Sequence, residues 1–122
     1  MTTWLAVWNE TRGERLLGRV SRCASFLCRL RGLTFRRCLG DDEGLLLVGR
    51  RESRADVAIH MFFVFFPISA IWLDGGGRVV DVRLARPFRP LYVPRAPARD
   101  VLEGAPGLLE RVRIGDQLRF GG

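Results

Sequence analysis

The sequence predicts a mainly β protein, folded as a single compact β-sandwich or flattened barrel with one or two short helices. Its 122 residues are the length of one domain, so residues 1–122 are treated as one unit. Short apolar runs recur along the chain with Gly and Pro between them, which is the pattern of many short strands. Hydrophobic residues make up 48% and charged residues 27%, values that exclude a disordered chain.

The first predicted strands form a hairpin, and a short helix follows them. Residues 4–8 and 15–23 are apolar runs on either side of a polar turn. Ser25 is a suitable N-cap for a helix, and Gly32 is a suitable residue to end it. The next apolar run, residues 44–48, has the length of a strand.

The charged residues 49–56 predict a loop, and a long uncharged segment follows it. Val57 to Leu73 holds seventeen residues without a formal charge, which is the shortest length for a membrane-spanning helix. Pro67 interrupts this segment and Asp74 begins a glycine-rich turn after it, so two buried strands explain it better than one spanning helix. The remaining strands are predicted over residues 59–63, 70–73, 79–84, 101–103 and 117–120, with a helical turn over residues 106–111.

The charge balance requires an anionic partner to be considered. Twenty basic residues, all Arg, against thirteen acidic residues give a net charge of +7. The densest clusters are Arg29, Arg31, Arg36 and Arg37, and then Arg50, Arg51 and Arg54. A solvated surface is the ordinary interpretation of both clusters, and a nucleic-acid or lipid surface is the alternative. Interleaved aromatic residues would favour nucleic acid, but only Phe26 and Phe35 lie in the first cluster, at positions expected to be buried.

The cysteines predict a reduced, cytoplasmic protein without a metal site. Cys23, Cys28 and Cys38 form no CxxC pair, and the single His60 is far from them in sequence. We therefore predict no metal and no cofactor. Residues 1–12 lack the pattern of a signal peptide, so the thiols are expected to be buried and unpaired.

Three segments, in a fixed order and spacing, carry a family resemblance. They are residues 29–33 (RLRGL) with the strand at 43–48 (EGLLLV), residues 59–74 (IHMFFVFFPISAIWLD), and residues 101–103 (VLE) with Gly107 and the closing pair 115–116 (GD). Together they resemble the uncharacterised prokaryotic family called domain of unknown function 192. The resemblance covers about residues 16–120. It implies a mainly β, sandwich-like domain and supplies no established activity.

The central motif departs from that family at two positions. Phe65 stands where one branch of the family has Arg, and Ser69 stands where it has Asp. Both changes remove a charge, and losing both partners together leaves no unpaired charge behind. Since Pro67 bends the chain between them, we expect the two side chains to share one rim.

The candidate functional residues are those that carry polar or aromatic groups in the family-like segments. They are His60, Phe62, Ser69, Trp72, Asp74, Arg31 and Glu103. We identify no catalytic residue, because the chain has no nucleophile elbow and no phosphate-binding glycine loop. The first hypothesis is a non-enzymatic domain that binds a small molecule or a protein partner on the surface around His60, Phe62 and Trp72. The second is an enzyme that uses His60 with Asp74 or Glu103, and nucleic-acid binding through the Arg clusters is a weaker alternative.

Overall fold

The protein folds as one seven-stranded sheet that curls into a half-barrel. The computed structural model describes residues 4–24, 39–61, 64–89 and 91–121. The strands are β1 (Trp4–Asn9), β2 (Glu14–Cys23), β3 (Glu43–Ser53), β4 (Ile68–Leu73), β5 (Val79–Ala85), β6 (Ala98–Gly104) and β7 (Leu118–Gly121), with one 3-10 turn, η1 (Pro106–Glu110). The mainly β prediction is therefore confirmed, and the single curled sheet is close to the flattened barrel that the sequence predicts.

The order of the strands across the sheet is β5-β4-β6-β3-β2-β1-β7. The β1–β2 hairpin is present as predicted, and β4 and β5 form a second hairpin around the glycine-rich turn. Among the strands of the described residues, β2 and β3 run parallel and the other neighbouring pairs are antiparallel. β6 lies between β3 and β4 and pairs with both, so its side chains have neighbours on either side.

The two edge strands of the sheet meet at one corner. Arg78, just before β5, forms an antiparallel bridge with Gln117, just before β7. The Leu118 amide donates a 2.9 Å hydrogen bond to the Gly77 carbonyl. Gly77 has a φ of +85°, and a Cβ there would lie 2.7 Å from the Leu118 carbonyl oxygen. Glycine is therefore required at this position, both for the backbone conformation and for the close approach.

Asp116 holds this corner together through its side chain and its backbone. Its carboxylate accepts hydrogen bonds from the Asn9 side-chain amide at 2.8 Å and from the Arg113 amide at 3.0 Å. Its carbonyl accepts a 2.9 Å hydrogen bond from the Val79 amide. Burial raises the pKa of Asp116, but these hydrogen bonds and the nearby Arg12 guanidinium outweigh it and hold the pKa below its ordinary value.

The sheet has an apolar core on each face, because alternate residues of a strand point in opposite directions. On one face, here called the η1 face, Ile71 and Leu102 pack with Leu108 of η1. On the other, the loop face, Trp72 and Val101 pack against the segments that cross over the sheet outside the strands. Adjacent residues such as Ile71 and Trp72 therefore join different cores.

Two predicted elements differ in the structure. The loop predicted over residues 49–56 is largely strand, because β3 continues to Ser53, which pairs with Ala98 of β6. The charged side chains of this extension are exposed, so the strand tolerates them. The strand predicted over residues 59–63 is wrong for its described part, where only Ile59 forms a bridge, to Tyr92. This segment covers the loop face instead of extending the sheet, and the helix predicted from Ser25 lies outside the described residues.

The prediction of unpaired cysteines is wrong. Cys23 is fully buried at the end of β2 and is disulfide-bonded. The other two cysteines of the sequence, Cys28 and Cys38, lie outside the described residues. The spacing of three cysteines in a sequence does not determine which of them form a disulfide, so the pairing could not be deduced from the sequence.

No helix in the described part of the chain is long and apolar enough to cross a membrane. The uncharged segment that raised this question contributes Val57 and Met61 to the loop-face core and then forms β4. Its apolar character therefore serves the two cores of the sheet.

Replacement of Gly77 by Ala should destabilise the fold by about 1–3 kcal/mol, because the new Cβ meets the Leu118 carbonyl and the positive φ is unfavourable. The matched control is Gly107→Ala, since no atom lies within 4 Å of a Cβ at Gly107. Urea unfolding followed by tryptophan fluorescence measures both variants. Equal unfolding midpoints for the two variants would show that the corner does not depend on Gly77.

Candidate ligand-binding cleft

A cleft opens on the loop face between strands β3 and β6 and residues 56–59, which belong to the segment 54–61 that covers this face (the cover segment). It holds about 310 Å³, including the space that is open to solvent. Its floor is formed by Leu47 of β3 and Val101 of β6, which lie directly opposite each other in the antiparallel ladder. Its wall is formed by residues 56–59 of the cover segment. Five of its eight lining residues are apolar, and Asp56 and Arg99 are its charged members.

The wall of the cleft is anchored by the core beneath it. The indole N–H of Trp72 donates a buried 2.8 Å hydrogen bond to the Val57 carbonyl. Ile59 and Tyr92 exchange two backbone hydrogen bonds, of 2.9 and 2.8 Å. Trp72 is fully buried, so it positions the wall and does not itself face solvent. Because the wall is fixed at both ends, the cleft is formed before any ligand arrives.

One end of the cleft lies at Gly49, where the regular pairing of β3 with β6 is interrupted between Val48 and Ser53. The Gly49 amide donates a 3.2 Å hydrogen bond to the Asp100 carboxylate, and a Cβ at Gly49 would overlap the Arg99 carbonyl oxygen. The Asp100 carboxylate also binds the Arg99 guanidinium through two hydrogen bonds, of 3.1 and 2.9 Å. This hydrogen-bonded pair raises the pKa of Arg99. The guanidinium at the cleft is therefore held in place by a charge that neutralises it.

Glu103 lies one row further along the same face of the sheet. It follows Val101 by two residues on β6, and it pairs with Leu45 of β3 and Ala70 of β4. Its side chain is buried, and burial raises its pKa to about 7. No hydrogen bond or ion pair reaches its carboxyl from the described residues, so a buried acid stands among apolar neighbours next to the floor of the cleft.

The other predicted site residues fall in several places. His60 is half-buried and follows the cleft wall directly, next to Ile59. Asp74 is in the β4–β5 turn, where its carboxylate accepts hydrogen bonds from the amides of Gly76 and Arg78, both at 2.9 Å. Two further predicted residues, Phe62 and Arg31, lie outside the described residues.

The enzyme hypothesis required a carboxyl group within hydrogen-bond reach of His60. The Asp74 carboxylate is occupied by its own turn, as a capping residue would be. The described part of the chain also brings together no group of three His, Cys, Asp or Glu side chains that could hold a metal ion.

The two positions that depart from the family motif lie in different environments. Ser69 is fully buried on the η1 face, where its hydroxyl lies beside Gly104 and Leu108 and has no hydrogen-bond partner within the described chain. Phe65 is 52% exposed and packs against Phe88. Since Ser69 does not reach the surface, the expectation that the two side chains share an exposed rim is wrong.

The lining of the cleft could not be read from the sequence. Leu47 and Val101 are ordinary strand residues, and Arg99 lies outside the predicted strand 101–103. One local signal was available, because a glycine inside a strand often marks a close approach of two backbones. Gly49 is such a residue, but its charged neighbours are typical of a loop and obscure the signal.

The Arg clusters differ from the basic surface that the sequence suggested. In the second cluster, Arg51 is paired with Asp56 at 3.2 Å, and Arg54 donates a 3.0 Å hydrogen bond to the Pro94 carbonyl. Arg50 is exposed. The first cluster, residues 29–37, lies outside the described residues. The described part of these clusters therefore engages mainly in contacts within the protein.

Comparison with known sequences gives a consistent set of relatives. The family model described as Uncharacterized ACR, the domain of unknown function 192, matches residues 7–120. A UPF0127 protein of Thermococcus kodakarensis is 39% identical over 106 residues, which are 87% of this chain and 66% of that protein. A UPF0127 protein of Pyrococcus horikoshii is 35% identical over 114 residues, which are 92% of this chain and 96% of that protein. The chain thus spans about two thirds of the first relative and nearly all of the second.

Two solved structures share the fold. One is a candidate transcription regulator of Sinorhizobium meliloti, with a TM-score of 0.84 and 22% identity, and the match covers 98% of this chain and 94% of that one. The other is a protein of unknown function from Novosphingobium aromaticivorans, with a TM-score of 0.80 and 22% identity, covering 97% and 84% of the two chains. At 22% identity, the similarity to these two structures shows a shared fold and does not show a shared function.

Glu103→Gln should remove a pH dependence of stability. The native pKa of about 7 lies above the ordinary value of 4.5, so the native state keeps a proton that the unfolded state releases between these values. This contribution to stability is complete below pH 4.5 and is lost as the pH rises through 7, a loss of about 3 kcal/mol. Above that pH the Glu103→Gln variant should therefore be the more stable protein.

Urea unfolding at a series of pH values between about 4.5 and 8 measures this difference. The matched control is Glu110→Gln, which removes an exposed carboxyl from η1. A constant stability difference between the Glu103→Gln variant and the unaltered protein over the whole range would contradict the buried-acid interpretation.

Proposed function

The chain belongs to the Uncharacterized ACR family, domain of unknown function 192, and the descriptions of the family and of its UPF0127 members name no activity. From the geometry we propose that it is a non-enzymatic domain that binds a small, largely apolar molecule in the cleft of the loop face. The observation that carries this proposal is the cleft itself, with its apolar floor of Leu47 and Val101 and its anchored wall at residues 56–59. The cleft is lined by eight residues of β3, β6 and the segment 56–59, which restricts the ligand to a small molecule.

The charges around the cleft support binding in preference to catalysis. The Arg99 guanidinium is already engaged by Asp100, and Asp56 is already engaged by Arg51. Groups that are neutralised within the protein contribute shape and orientation more than reactivity. The ligand would therefore make apolar contacts with the floor and the wall and would not need to neutralise a charge of the protein.

Glu103 supports a preference for ligands that donate a hydrogen bond. Its buried carboxyl stands one row from Val101 on the loop face. Burial of a carboxyl group is costly, so a ligand N–H or O–H group that reached past Val101 to this carboxyl would relieve that cost. A small molecule with an apolar body and one such donor fits both features.

The cytoplasmic location expected from the sequence stays a prediction, and the disulfide is an observation against it. The expectation rests on free thiols, but Cys23 is disulfide-bonded, and disulfides are rare in most cytosolic proteins. Cell fractionation with an antibody to the protein tests this point directly, and recovery with exported proteins would contradict it.

Ala58→Phe should weaken binding of the neutral apolar dye N-phenylnaphthylamine by about tenfold or more, because the ring would fill the cleft that Ala58 lines. Dye fluorescence is titrated against the folded protein. The control is Ala55→Phe, since Ala55 is exposed and lies outside the cleft. Equal affinities for the two variants, or no dye bound by the unaltered protein, would overturn the proposed site.

A further inference from the structure

An exposed phenylalanine occupies a backbone position that favours glycine. Phe88 has a φ of +62° in the turn after β5, where the Arg89 amide donates a 3.4 Å hydrogen bond to the Arg86 carbonyl. Pro87 and Phe88 are the two central residues, and glycine is usual at the second central residue when its φ is positive. The Phe88 side chain is nevertheless 53% exposed, so it gains little from burial. A strained residue that the core does not require is a sign of function.

A second exposed ring completes this feature. The rings of Phe65 and Phe88 meet edge to face, with centroids 5.4 Å apart and planes at 67°. The backbone beneath them is held by two hydrogen bonds, from the Phe88 amide to the Met61 carbonyl at 2.8 Å and from the Met61 amide to the Arg89 carbonyl at 3.0 Å. The Phe88 ring is therefore presented to solvent from a fixed backbone position, and the Phe65 ring packs against it.

The charges next to these rings are positive. From Val82 to Arg99 the sequence has five Arg and no acidic residue, and the segment from Val57 to Leu73 has no formal charge. Arg95 and Arg99 of this set are paired with Asp81 and Asp100. The unpaired members, judged on the ion pairs of the described residues, are Arg83, Arg86 and Arg89.

Arg86 and Arg89 flank the aromatic pair. Both are exposed and both border the turn that carries Phe88. The Arg89 guanidinium lies over the Tyr92 ring, 5.1 Å from its centroid, and the Arg86 amide donates a 2.9 Å hydrogen bond to the Tyr92 hydroxyl. Tyr92 therefore steadies the turn and one of its guanidinium groups.

We propose that Phe65, Phe88, Arg86 and Arg89, here called the basic aromatic patch, bind single-stranded nucleic acid. A partner for this patch must carry negative charge and must also present flat apolar groups to exposed rings. Single-stranded nucleic acid supplies both, since its phosphates pair with guanidinium groups and its unpaired bases stack on aromatic side chains. This patch is separate from the Arg clusters of the sequence and supplies the aromatic interleaving that they lack.

Phe88→Gly separates binding from folding. Glycine relieves the positive φ, so the variant should unfold at an equal or higher urea concentration than the unaltered protein. Loss of the ring should weaken binding of a fluorescently labelled oligothymidine by about 5- to 150-fold. Fluorescence anisotropy at low salt measures the affinity. Arg86→Gln should weaken binding and reduce its dependence on salt concentration.

Arg113→Gln is the matched control, because Arg113 is exposed at the corner of the sheet away from the patch. This substitution should leave the affinity nearly unchanged. Retention of full affinity by Phe88→Gly would overturn the proposal. So would equal losses in Arg113→Gln and Arg86→Gln, which would indicate a diffuse charge effect. Binding to vesicles of phosphatidylglycerol without binding to the oligonucleotide would assign the patch to an anionic membrane surface instead.

Discussion

The buried carboxylate of Asp116 is the interaction on which the curl of the sheet depends. It accepts hydrogen bonds from Asn9 at the end of β1 and from the Arg113 amide, while its own carbonyl accepts one from the Val79 amide of β5. A flat seven-stranded sheet would keep these edges far apart, so this corner converts it into a half-barrel. Because the native pKa is lowered, the stabilisation is present above the ordinary value of 3.8 and is lost as the pH falls through the native value.

The curl gives the two faces of the sheet different tasks. The η1 face collects apolar residues from all seven strands and is capped by η1, so Ser69 on β4 is shut away from ligands. The loop face is covered by irregular segments, which leave a cleft beside the cover and an exposed turn at Phe88. Irregular segments can present a functional group without disturbing the hydrogen bonds of a sheet. Both proposals of binding therefore belong to the loop face.

The sequence predicts local features well and distant contacts poorly. Alternating or apolar runs between glycine and proline located β4 and β5, and Pro106 marked the start of η1, because these signals act within a few residues. The parallel pairing of β2 with β3 has no local signal, since a long connection separates the strands. For the site, the sequence predicted Trp72 and Glu103 as residues of interest. The anchoring of the wall by Trp72 and the burial of the Glu103 carboxyl depend on contacts that only the fold creates.

The pairing of β7 with β1 has a consequence for how the molecule assembles. Ala6 of β1 lies opposite Gly121 of β7. These two strands are distant in sequence, and they must pair before β7 can form its edge of the sheet. Closing such a long loop costs conformational entropy that is regained only when the pairing is complete. Contacts of this range slow folding. The protein should therefore acquire its barrel-like curvature late and in a single cooperative step, after local hairpins such as β4–β5 have formed.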